Sequence, residues 1–135
     1  MALDARLVTL YEEVDLVLRD YRSGQLPKAF KMLPAMRDWE RLVSEVMRPA
    51  QWTAAGMLHA TRLFASNLPA GRVTRFYRYI LLPRVRDELA QFSKLNPYTF
   101  LALRKALYKP GAFFKGLVLP LCEVSCPALP LPPPY

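Results

Sequence analysis

Residues 72–121 read RVTRFYRYILLPRVRDELAQFSKLNPYTFLALRKALYKPGAFFKGLVLPL. Val73, Phe76, Tyr77 and Ile80 stand at i, i+3, i+4 and i+7, one face of a helix. At 100° per residue Arg72, Arg75 and Arg78 fall on the opposite side. The spacing predicts a helix over residues 72–82. Pro83 kinks or restarts it, and it continues through Phe92. Asn96-Pro97 starts the next helix, to about Lys109. Pro110-Gly111 breaks that helix, and Pro110 can begin a last, very apolar one through Leu119.

The rest of the chain reads the same way. Apolar residues at 3, 7, 10, 14, 17, 18 and 21 predict a one-sided helix with acids opposite, ended by Ser23-Gly24. Leu26-Pro27 opens a short helix with Pro in its first turn, carrying Phe30, Met32, Leu33 and Met36, and Pro34 ends or kinks it. Asp38 caps another, with Trp39, Leu42, Val43 and Val46. Arg48-Pro49 is a break, and Thr53 caps a helix through Asn67 with Met57, Leu58, Thr61, Leu63 and Phe64 inward. Pro69-Ala-Gly71 turns the chain.

There is no strand-type alternation, Gly-rich phosphate loop or sequence repeat. The expected fold is all-α: an irregular bundle or solenoid of short antiparallel helices. Segment 112–121 is apolar nearly all round and should be buried on every side, yet fourteen residues follow it. The fold is therefore expected to be incomplete at the C-terminus. Residues 1–123 form the helical domain. Residues 124–135, VSCPALPLPPPY, hold prolines 127, 130, 132, 133 and 134 and favour polyproline II or disorder.

At 135 residues and 53% hydrophobic, the chain is one domain or a piece of one, and composition does not make it disordered. Its net charge of +8 is unevenly spread. Residues 47–121 carry twelve Lys or Arg against Asp87 and Glu88, while residues 1–46 carry seven bases and eight acids. A helical body with one strongly basic half is built to meet a polyanion. Nucleic acid comes first, an anionic membrane surface second and an acidic protein third. The longest apolar run is far short of the roughly 20 residues of a membrane span. Acids interrupt the N-terminal apolar pattern, so no signal peptide is expected, and the chain reads as soluble and intracellular.

Catalysis finds little support. His59 has Ala55, Gly56, Arg62 and Leu63 at i±3 and i±4, and none can complete a metal site or acid–base pair. It reads as a packed or surface histidine. Cys122 and Cys126 lack a second ligand pair for zinc. Glu12-Glu13 and Asp87-Glu88 are sequence neighbours, so each pair splays around its helix. No cofactor, metal or small-molecule substrate is expected. Trp39 and Trp52 read as core anchors. Pro-Pro-Pro-Tyr (132–135) and the Pro127–Pro130 spacing match short peptide-ligand patterns that are frequent in any Pro-rich stretch.

The nucleic-acid candidates are Arg72, Arg75, Arg78, Arg84, Arg86, Arg104, Lys105, Lys109 and Lys115, interleaved with Tyr77, Tyr79, Tyr98 and Tyr108. Cations bind phosphate oxygens, and exposed aromatics stack on unpaired bases. Arg84 and Arg86 have a second reading, as ion-pair partners of Asp87 or Glu88.

At these residues the chain resembles the bystin family. The matching stretches are YRSGQLPKAFKMLP (21–34), DWERL (38–42), the run at 52–68, residues 75–96 and ALRKALYKPGAFFKGLVLPLCE (102–123). They are long and ungapped, and together cover almost all of 7–123. The resemblance implies the first half of a longer helical core and a non-enzymatic role in assembling the small ribosomal subunit. It implies partners among pre-rRNA, assembly factors and small-subunit ribosomal proteins, support of small-subunit rRNA maturation, and a nucleolar and nuclear protein that shuttles to the cytoplasm. The competing expectation is a helical protein-interaction adaptor whose basic surface meets acidic segments and no RNA.

Overall fold

The computed structural model describes residues 4–124, and the fold is all-α. The Pro-rich segment lies outside the described residues except for Val124.

Helix α1 (Ala5–Arg19) starts where the Asp4 carboxylate accepts the Arg6 N–H at 2.8 Å. Its buried face is Tyr11, Val14, Asp15 and Leu18. This corrects the predicted stripe, because Leu10 and Val17 are exposed. The helix is turned toward two polar anchors. Tyr11 donates its hydroxyl to the Ala29 carbonyl at 2.8 Å. Asp15, 3% exposed, accepts from Trp52 Nε1 and the Arg48 N–H, both at 2.8 Å, and pairs with Arg19 at 2.9 Å.

Helix α2 (Lys28–Met32) passes into a 3-10 turn at Leu33–Ala35 holding Pro34. Pro27 is its N-cap rather than a first-turn residue, and Met32 points to solvent. Helix α3 (Trp39–Arg41) widens into a π turn at Leu42–Val46. Asp38 sits at the N-cap of α3 but its side chain makes no capping bond. After a 3-10 turn at Pro49–Gln51, Thr53 caps α4 (Ala54–Asn67), accepting the Gly56 N–H at 3.0 Å. Helix α4 is buried over most of its girth and packs chiefly on α7 (Pro97–Ala106).

Two helical rods complete the fold. The first is α5 (Ala70–Phe76), a π turn at Tyr77–Leu81, and α6 (Leu82–Phe92). The second is α8 (Pro110–Phe113), a π turn at Phe114–Val118, and α9 (Leu119–Val124). Pro83 and Pro120 cause both π turns. Each lacks the N–H that would meet the carbonyl four residues back, and its ring clashes there. The turn opens by one residue instead: Leu82 N–H reaches Tyr77 O, and Leu119 N–H reaches Phe114 O. FYRYILLP (76–83) and FFKGLVLP (113–120) thus form a short internal echo that the sequence reading missed.

The rods pack against each other at Gly116. A Cβ there would lie 2.8 Å from the Thr74 carbonyl oxygen and 2.9 Å from Tyr77 Cβ, so only glycine allows the approach. The second rod is not buried on every side as predicted. Ala112, Gly116 and Leu117 face inward, whereas Phe114 is exposed.

The core is an aromatic series. Phe64 stacks on Phe76 with centroids 4.5 Å apart, Trp39 tilts against Phe64 at 5.0 Å, and Phe30 meets Trp52 edge-on at 5.9 Å. Both tryptophans are core anchors, as expected.

Candidate nucleic-acid interface

Burial of Val73, Phe76, Tyr77 and Ile80 fixes the rotation of the first rod, so Arg72, Arg75 and Arg78 emerge on its outer side. Arg75 Nε pairs with Glu40 across 35 residues, and its guanidinium lies 5.5 Å from the Tyr79 ring centroid. Arg78 lies 5.8 Å from the same ring. Exposed Lys115 precedes Gly116, where the second rod meets the first at Thr74, Tyr77 and the Arg78 backbone. In the echo, Lys115 holds the position of Arg78. Lys109, at the start of α8, sits 5.4 Å from the Tyr108 ring centroid.

A second group lies where α7 crosses α4. Leu58, Arg62, Leu101, Arg104 and Lys105 line a groove of about 370 Å³. Three cations and two leucines face it, and no acid does. Four ion pairs occur among the described residues, and Arg72, Arg78, Arg104, Lys105 and Lys115 take part in none of them.

The bystin family model matches residues 1–129. The chain belongs to the bystin family. It is 54% identical to human bystin over 121 residues, covering 90% of this chain and 28% of that protein. It is 53% identical to bystin of Monosiga brevicollis over 123 residues, 91% of this chain and 30% of that protein. Against bystin of Drosophila melanogaster it is 47% identical over 121 residues, again 90% and 28%. The chain therefore spans less than a third of the length of these relatives.

In this bystin-family chain Arg84 and Arg86 are engaged inside the scaffold. Arg84 pairs with Glu88 at 2.8 Å and donates to the Trp52 carbonyl. Arg86 donates to the Pro120 carbonyl at 3.1 Å, and its Nε is buried with no hydrogen-bond partner among the described residues. Buried Glu88 also accepts from the Thr99 hydroxyl at 2.6 Å and the Asn96 N–H at 2.9 Å. Burial pushes the Glu88 carboxyl pKa up, but Thr99, the Asn96 N–H and Arg84 together outweigh it and hold it below the ordinary value. Of the four interleaved tyrosines, Tyr77 is internal. It donates to the Ala106 carbonyl at 2.9 Å, and burial raises its pKa. Tyr79, Tyr98 and Tyr108 are exposed.

Arg62 was not among the sequence candidates. Only the packing of α7 on α4 brings it beside Arg104 and Lys105, so no local pattern marked it. His59 meets the Tyr21 ring edge-on at 5.2 Å, and burial, then the Arg62 charge, lowers its pKa. Among the described residues no three of His, Cys, Asp or Glu gather as a metal site, and no helix is long and apolar enough to cross a membrane. Cys126 lies outside the described residues.

Proposed function

We propose that this chain is the RNA-holding part of a non-enzymatic assembly factor for the small ribosomal subunit. Its outward cations grip phosphates of folded pre-rRNA. Its exposed apolar positions, among them Leu16 and Val17 on α1 and Phe114 on the second rod, dock assembly factors and ribosomal proteins. It acts on precursor particles in the nucleolus and nucleus and leaves them in the cytoplasm, supporting small-subunit rRNA maturation. The carrying observation is that Arg72, Arg78 and Lys115 are exposed, belong to none of the four ion pairs, and ride on two rods packed together through Gly116. Membership of the bystin family agrees with this role. Glu88 is taken up inside the scaffold by three donors, Arg84, the Asn96 N–H and the Thr99 hydroxyl.

The test is binding of a structured small-subunit rRNA fragment across a salt series. Arg78→Glu with Lys115→Glu should weaken binding and reduce the log–log salt slope by about two units, near one for each phosphate that is no longer neutralised. An unchanged slope and affinity would remove the proposal.

A second reading has its own observation, the α4–α7 groove. Its leucine floor and three cations also suit an acidic, partly apolar peptide. Arg104→Glu with Lys105→Glu separates the readings. If it abolishes binding of polyglutamate and leaves the RNA salt slope intact, the groove belongs to protein partners.

A further inference from the structure

Tyr79 is 55% exposed, although its neighbours Tyr77 and Ile80 are buried. Tyr79 lies in the π turn that precedes Pro83, on the outer side of the rod. Such turns concentrate at functional positions. Two guanidinium groups, Arg75 and Arg78, lie 5.5 and 5.8 Å from the ring centroid. Beside the ring opens a groove of about 350 Å³, walled by Val43, Ser44, Pro49, Ile80 and Pro83, and no carboxylate lines it.

From this arrangement we infer that Tyr79 and its groove take one unpaired nucleotide of the bound RNA, the base stacked on the ring and the phosphate at Arg75 and Arg78. The inference rests on the RNA-holding reading above and adds the kind of RNA. A flat π surface stacks on any base, and a nucleotide inside a duplex cannot reach it. The groove is large enough for a single base and lies at the lower end of small-molecule pockets. Its apolar walls suit a base face, and the exposed Ser44 hydroxyl offers a partner for a base edge. The Glu40 carboxylate already shows where an oxyanion meets Arg75. That pair is exposed on both sides, so a phosphate can replace the carboxylate at little cost.

The experiment uses the whole 135-residue chain and two fluorescent RNA hairpins that differ by one bulged adenosine. The bulged hairpin should bind on the order of tenfold tighter, the effect of one stacked base. Tyr79→Ala should erase that preference, so that both hairpins bind alike, and Tyr79→Phe should keep it. A 2-aminopurine at the bulge should lose fluorescence on adding the unmodified protein, a readout that needs no variant. Equal affinity for both hairpins with a normal salt slope would overturn the nucleotide site and leave the phosphate-gripping face standing. Binding of neither hairpin would overturn both. A preference that survives in Tyr79→Ala, or that polyglutamate abolishes equally in both proteins, would assign the groove to something other than a base.

Discussion

Replacing Asp15 by alanine removes one carboxylate and orphans two donors, one buried and one part-buried. The Trp52 indole N–H and the Arg48 backbone N–H both end on Asp15 Oδ1 at 2.8 Å. Trp52 is 1% exposed, so its N–H has no route to water, and an unsatisfied buried donor costs about 1–3 kcal/mol. The Arg48 residue is exposed, and water can take part of that loss. Arg19 loses its partner but is half-exposed and can be hydrated. Relief of the buried charge offsets some of the total, leaving about 3 kcal/mol. That is a large share of the roughly 5–15 kcal/mol typical of a domain. For a chain of this size it corresponds to a fall in Tm of about 10 °C. Asp15→Asn keeps an acceptor oxygen for both N–H groups and should fall by less than half as much. Thermal melts followed by circular dichroism, with tryptophan emission shifting to the red in the Ala variant, provide the assay. An alanine variant melting within about 2 °C of the parent, or an asparagine variant no better than it, would refute the anchoring role.

Gly116→Ala should destabilise the chain by about 1–3 kcal/mol in urea unfolding, because the new methyl meets the Thr74 carbonyl and Tyr77 Cβ. Gly111→Ala, where nothing lies within 4 Å, should be neutral or slightly stabilising in the same assay. The Glu88 carboxyl titrates below the ordinary 4.5 in the folded chain, so the unfolded chain binds its proton first as pH falls. Its contribution is complete above about pH 4.5 and is lost as pH drops through the folded value. Melts between about pH 5 and 3 should therefore decline more steeply for the parent than for Glu88→Gln, by no more than one proton's worth of slope.

Local chemistry marked much of the scaffold in advance. The Thr53 cap and the four inward residues of the first rod need only turn geometry and a 3.6-residue period, and the structure places them as read. The face of α1 was misjudged by one position because Asp15 was counted with the solvent side. A buried carboxylate is recognisable only once Trp52 and the Arg48 N–H are seen to reach it. Pro83 announced an irregularity in the first rod, but not that it would be a π turn, and nothing in the reading of the second rod anticipated its π turn before Pro120. Among the cations, Arg84 was open to pairing with Glu88 because four residues on a helix suffice. The bonds of Arg75 to Glu40 and Arg86 to Pro120 span 35 and 34 residues, and the place of Arg62 depends on helix–helix packing. Such partners are products of the fold and leave no local signature.

Ultraviolet crosslinking in living cells, with mass spectrometry of the peptides left joined to nucleotides, reaches the central claim most directly. If the basic face holds rRNA, the joined peptides come from residues 72–115 and the attached RNA is small-subunit precursor. Crosslinks confined to proteins, with no nucleotide on any peptide of that segment, would contradict it.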